Sequence, residues 1–212
     1  MVFELTTGEQ VAGITVKGVP VSVDEAAYSR RLIGWARVKG FDPTDLVVVD
    51  ECGNLQWSRG PAYGYMVLVG FDDSLLVREF HGGDPVFYRF SIDGAVLAGP
   101  SKFGDSMPLA LGADGVLYLA RRVPCSYPCD YDNSLEVVAV SESLEVLDRI
   151  DVGPYSHKAS AVLLDDGLMV VVRDGRTGID FVRIQTASPG LARTAWPTIR
   201  RDNERTGWVA PW

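Results

Sequence analysis

Residues 87–122 read FYRFSIDGAVLAGPSKFGDSMPLALGADGVLYLARR. Aromatic and aliphatic runs alternate here with Asp-Gly and Gly-Pro breaks, the pattern of strands joined by tight turns. The stretch holds four strand-like runs and two Asp-Gly turns, at Asp93-Gly94 and Asp114-Gly115. The rest of the chain can be laid over it as degraded copies.

The first hairpin, FSIDGAVL from Phe90, has counterparts in LTTGEQVA from Leu5, VDECGNLQW from Val49, VSESLEVL from Val140 and IQTASPGL from Ile184. Anchors at 5, 49, 90, 140 and 184 are separated by 44, 41, 50 and 44 residues. The second turn recurs around Asp73, Asp114 and Asp166. A period of about 45 with four strands per repeat predicts an all-β chain, a β-propeller of four-stranded blades forming one domain over residues 1–212. Each blade alone leaves apolar faces bare, and its neighbours cover them.

Four blades fit between Val19 and Leu191. The N-terminal hairpin, Val2 to Ala12, and the tail, Thr194 to Trp212, are each too small for a blade. An unpaired hairpin exposes a strand edge. Both ends are therefore expected to meet in a composite fifth blade that closes the ring. One segment admits a competing reading. Ser22 and Glu25 have capping-box spacing, and a helix over Val23 to Arg37 would put Tyr28, Leu32 and Trp35 on one face. Repeat position favours a strand there.

The blade pattern of VDECGNLQW and ADGVLYLA resembles the PQQ-like, or quinoprotein-type, β-propeller repeat. The period also falls in the WD40/YVTN-like range. WPTIRRDNERTG, from Trp196, resembles an element seen beside such repeats in bacterial proteins. The resemblance implies a propeller fold and favours an extracytoplasmic location. Only Trp57 stands where the closing Trp of that repeat falls; Ala98 and Asp148 hold the matching places. PQQ-binding residues cannot be placed, so no cofactor is expected.

Composition narrows the partners. The 212 residues are 47% hydrophobic with a net charge of −8, which disfavours nonspecific binding to nucleic acid and anionic lipid. No apolar run of about 18 residues suggests a membrane span. The first residues do not have the basic-then-apolar pattern of a secretory signal.

The most distinctive loop is RRVPCSYPCDYDN, from Arg121 to Asn133. Cys125 and Cys129 are spaced for a small disulfide ring, for two reduced thiols, or for half of a metal site. No second Cys/His pair lies nearby, so no metal is expected. A disulfide would agree with an oxidising compartment. Tyr127, Asp130, Tyr131 and Asp132 are candidate ligand contacts. Asp130, Asp132, Ser134 and Glu136 alternate like a Ca²⁺ loop but lack its Gly and final Glu, and read as a solvated acidic loop. The recurring Asp73, Asp114 and Asp166 read as turn formers, and His81 and His157 as surface histidines. Trp57 is expected to be buried between blades.

A repeat framework without an evident catalytic constellation points to a non-catalytic binding or scaffold propeller for a protein, peptide or glycan. It is expected to be a monomer unless another chain completes the ring. Two alternatives stay open: a hydrolase or lyase with a central-channel site, and a fragment of a larger propeller.

Overall fold

The polar, Gly-containing breaks become turns and the apolar runs between them become strands. The computed structural model describes residues 2–3, 10–12, 15–16, 19–20, 22–29, 31–37, 44–50, 54–62, 64–70, 72–124, 133–154, 160–164, 167–174 and 178–187. Among the described residues every regular element is a strand. Near the N-terminus, β1 (Val2–Phe3) pairs with β2 (Gln10–Ala12), and β3 (Thr15–Val16) with β4 (Val19–Pro20).

Four antiparallel sheets follow. Sheet I contains β5 (Ser22–Ser29), β6 (Arg31–Arg37), β7 (Thr44–Val49) and β8 (Leu55–Ala62). Sheet II contains β9 (Gly64–Val69), β10 (Leu75–Phe80), β11 (Val86–Phe90) and β12 (Val96–Lys102). Sheet III contains β13 (Ser106–Leu111), β14 (Leu117–Pro124), β15 (Asn133–Val140) and β16 (Val146–Pro154). Sheet IV shows β17 (Ser160–Leu164), β18 (Gly167–Asp174) and β19 (Gly178–Ile184). Spatial order follows chain order in each sheet, so every sheet is a meander.

Three apolar clusters join these sheets in a row. Leu46 and Val48 of sheet I meet Val67, Val69, Leu75, Val77 and Phe90 of sheet II. Leu68, Leu76, Phe87 and Phe103 meet Leu111, Leu117, Leu119, Val138, Val140 and Leu144 of sheet III. Leu109, Ala110, Tyr118, Ala120, Leu135 and Val137 meet Ala161, Leu163 and Ile184 of sheet IV. Successive residues of one strand, such as Leu75 and Leu76, point to opposite clusters. Sheets II and III are therefore apolar on both faces, which explains strands that read as unbroken apolar runs. Each fully buried Leu or Phe contributes about 1.5–3 kcal/mol. First strands of neighbouring sheets approach one another, β5 with β9 and β13 with β17, so the first strand lies innermost.

The 87–122 stretch spans two sheets: its first two strands complete sheet II and its last two begin sheet III, with the boundary at Phe103 to Asp105. Over Val23 to Arg37 the strand favoured by repeat position is observed, and the competing helix is overturned. β5 pairs with β6 from Ser22↔Arg37 to Ser29↔Arg31, and β7 then pairs with β6, so sheet neighbours satisfy the backbone groups that a helix would have satisfied internally. The tail with Trp196, Trp208 and Trp212 lies outside the described residues, as do Cys52, His157 and Asp166.

Candidate functional site

In a meander the connections segregate by end. At one end, the turn end, the connections 50–54, 70–74, 91–95, 112–116 and 141–145 have five residues each, and those joining β5 to β6 and β17 to β18 have one and two. At the other, the loop end, the second-to-third strand connections of sheets I to IV have six, five, eight and three residues. The eight-residue connection is 125–132. It springs from the last rungs of β14 and β15, Val123↔Ser134 and Pro124↔Asn133. The candidates Cys125, Tyr127, Cys129, Asp130, Tyr131 and Asp132 lie outside the described residues. Ser134 and Glu136 do not belong to a solvated loop: both lie on β15, Ser134 buried and Glu136 3.3 Å from Arg121 on the neighbouring strand. Apolar neighbours at Leu135 and Val137 pull this part of the acidic run into sheet III.

The turn acids do turn chemistry. The Asp72 carboxylate accepts from the Ser74 backbone N–H at 3.1 Å, and that of Asp114 from the Val116 N–H at 3.2 Å. The register shifts the expected alignment by one residue. Asp72 matches Asp114, and Asp73 matches Gly115; each of the latter pair donates its N–H across the turn with positive φ, 59° and 79°.

Between sheets I and II, Arg59 of β8 forms a two-bond ion pair with Glu79 of β10. Glu79 is buried, and the guanidinium carbon of Arg59 stands 4.2 Å from the Tyr88 ring centroid. His81 reaches Glu79 at 3.2 Å, but its side chain is 52% exposed. The surface position expected for His81 is observed. Glu79 is committed to closing an interface between sheets. Trp57 also bridges these sheets. Its ring centroid lies 5.7 Å from that of Phe90, and its indole N–H donates to the Ile92 carbonyl at 2.8 Å. Trp57 lies between the sheets as expected, but half-buried rather than buried, because β8 is the outer strand of its sheet.

Between sheets II and III the polar centre is Arg89 of β11. Its guanidinium donates to Asp72 at 2.8 Å, to Glu142 at 3.1 Å and to the Ser74 hydroxyl at 3.0 Å. Asp72 and Ser74 belong to sheet II and Glu142 to the β15–β16 turn, so one side chain clasps two sheets. Partial burial works to raise the Asp72 pKa, but hydrogen bonds from Ser74 and the Arg89 charge outweigh it and hold the carboxyl below its ordinary value. Burial lowers the pKa of Arg78, which faces the same interface, against the opposing influence of Asp105; its side chain donates to the Ser106 carbonyl at 2.8 Å.

Above the clasp opens a cleft of about 520 Å³, lined by Arg89, Leu97, Asp114, Val116, Glu142 and Leu147 among others. Leu97 and Leu147 are 52% and 57% exposed. The cleft offers apolar walls and more carboxylate than guanidinium, a setting for a cation with an apolar neighbour. Sequence reasoning missed Arg89, Asp72 and Glu142, because they come together only through the packing of two sheets.

No protein family and no curated protein matches the chain by sequence. Among solved structures, TolB from Acinetobacter baumannii, a β-propeller, superposes with a TM-score of 0.51 at 14% identity, covering 80% of this chain and 45% of TolB. A protein of unknown function from Bacteroides caccae aligns with a TM-score of 0.44 at 13% identity, over 82% of this chain and 60% of that one. The chain thus spans roughly half of the structures it matches. With its antiparallel four-stranded sheets, the likeness to TolB defines an all-β, propeller-like fold.

Proposed function

We propose that the chain is a non-catalytic binding or scaffold propeller whose loop end engages a protein, peptide or glycan partner. One observation carries this reading. The longest connections within the sheets, 38–43 and 125–132, lie at the loop end, whereas turn-end connections have five residues or fewer. A rigid strand frame with its longest loops gathered at one end is how folds present recognition loops. Tyr127, Asp130, Tyr131 and Asp132 are the proposed contacts. A Cys125–Cys129 disulfide would hold them and reduce the ordering cost of binding.

The test is replacement of residues 125–132 by a Gly-Ser linker of equal length. Displayed-peptide and glycan libraries are selected against the unaltered protein, and the selected ligands are measured on both. The expected result is an unchanged unfolding midpoint with lost binding; equal binding by both proteins sinks the reading. Alkylation without reductant should leave Cys125 and Cys129 unlabelled, and two labelled thiols would remove the disulfide.

For the architecture, we infer one domain of five blades over residues 1–212, the fifth composed of the β1–β2 hairpin and the tail from Thr194. Among the described residues β1 pairs with β2 alone, which supports this, since such a hairpin needs a sheet to join. Deleting 194–212 should then lower the unfolding midpoint of the whole molecule in one cooperative transition. An unchanged midpoint would refute closure by the tail.

A further inference from the structure

The cleft between sheets II and III lies at the turn end, away from the loops proposed above. We propose that it is a docking groove for an extended segment of a partner protein carrying a lysine or arginine beside an apolar side chain.

The walls argue for the apolar part. Leu97 on β12 and Leu147 on β16 are large, more than half exposed, and flank the same cleft. Val146, paired with Val140 of the same interface, extends this exposed apolar surface along β16. The cleft has a local cause. Cross-strand register places Trp57 opposite Val48, Ala98 opposite Arg89 and Asp148 opposite Ala139, so these are equivalent outer-strand positions. Trp57 packs against sheet II across the first interface. At the second interface the equivalent residue is Ala98, and an alanine cannot span the gap that an indole spans.

The floor argues for the cation. Among the described residues, the two carboxylates of Asp72 and Glu142 share one guanidinium, Arg89, and Asp114 lines the same cleft. An incoming anion would meet excess negative charge, whereas an incoming cation complements it. The chain's net charge of −8 adds long-range attraction of the same sign.

The strands argue for an extended occupant. β12 and β16 are the outer strands of their sheets, with an unpaired backbone edge among the described residues. Gly99 and Pro100 interrupt the β12 edge, while β16 runs nine residues with its proline last. A segment added along β16 projects alternate side chains to one face. An apolar side chain can thus meet Leu97 and Leu147 while a basic one two residues away approaches Glu142 and Asp114.

The test uses a fluorescein-labelled octapeptide of alternating Leu and Lys, with the Leu-Glu octapeptide as control, followed by anisotropy. Saturable binding of the Leu-Lys peptide alone is expected. It should weaken about tenfold or more in the Leu97→Ser/Leu147→Ser double variant, whose exposed positions tolerate serine. Asp114→Asn, which keeps the turn but removes the charge, should weaken it by about threefold and reduce its salt dependence. Replacing residues 125–132 should leave it unchanged, which separates this proposal from the loop-end reading. The proposal is overturned by equal binding of the Leu-Glu peptide, by indifference to the cleft variants, or by no saturable binding. It is also overturned if the unaltered protein self-associates and Leu147→Ser abolishes that, since the occupant would then be a second copy.

Discussion

The two interfaces flanking sheet II solve one packing problem with opposite size distributions. At the first, Trp57 of the outer strand lies against Gly94 in the next sheet's hairpin turn; a Cβ on Gly94 would come within 3.0 Å of the indole. At the second, Ala98 takes the place of the tryptophan and Leu144 that of the glycine. The turns are equivalent: Gly94 donates to Ser91 at 2.9 Å, Leu144 donates to Ser141 at 3.0 Å, and both have positive φ. Leu144 is buried in the second apolar cluster, with Ala98 packed against that cluster. Large-on-small became small-on-large. The leucine fills the interior, and the outer part of the gap is left as the cleft. The difference teaches that a repeat can exchange a packing plug for an opening without changing its strands.

The most direct way to break this comparison is Trp57→Ala. It removes an inter-sheet aromatic and the indole hydrogen bond to the Ile92 carbonyl. The expected loss is about 3 kcal/mol, at the lower end for core Trp because the ring is half-buried. Urea unfolding measures it. A loss below about 1 kcal/mol would place Trp57 among ordinary surface residues and dissolve the contrast.

A sharper test transplants one interface onto the other. Ala98→Trp alone should cost about 1–3 kcal/mol, since Leu144 occupies interior space and the indole must overpack it. Adding Leu144→Gly supplies the small partner and relieves the unfavourable φ of 61° at Leu144. The double variant should therefore be more stable than the sum of the two single changes predicts, by about 1 kcal/mol or more. It should also lose the Leu-Lys peptide. Strict additivity would mean that the two positions do not form one packing unit.

Much of the framework was legible because turn chemistry marks strand ends. Ile92-Asp93-Gly94 and Ala113-Asp114-Gly115 announce hairpins, and the aliphatic runs around them admit little else. The equivalence of Trp57, Ala98 and Asp148 was readable from hairpin alignment, and the strand register bears it out. Four blades laid between Val19 and Leu191 agree in phase with sheets I to IV, but no local signal marks the boundary within residues 87–122. The step from sheet II to sheet III at Phe103 to Asp105 is no longer than a turn. The clasp was hidden for a related reason. The positions equivalent to Arg89 hold Val48, Ala139 and Arg183, so no repeating pattern singles out an arginine there. Its partners come from two turns 70 residues apart, Asp72 and Glu142, and only sheet packing brings them together.

The smallest expected effect distinguishes the two interfaces by charge. Glu79 is sealed in the first, whereas Asp72 in the second is 38% exposed, so solvent and salt weaken its pairing with Arg89. The Asp72 pKa is lowered from 3.8 on folding, despite the opposing influence of partial burial, because Ser74 and Arg89 favour the carboxylate. A carboxyl depressed in this way stabilises the fold above its unfolded pKa, and that contribution is lost as pH falls through the folded value. The unfolding midpoint of Asp72→Asn should therefore lie below that of the unaltered protein at pH 7. The gap should narrow once the pH drops beneath 3.8 and close in stronger acid. Asn keeps the acceptor for the Ser74 N–H, so what closes is the charge contribution of the clasp rather than the turn. A gap that stays constant down to acid would assign the effect to turn geometry alone. Arg89 would then hold the two sheets through Ser74 and Glu142 without help from Asp72.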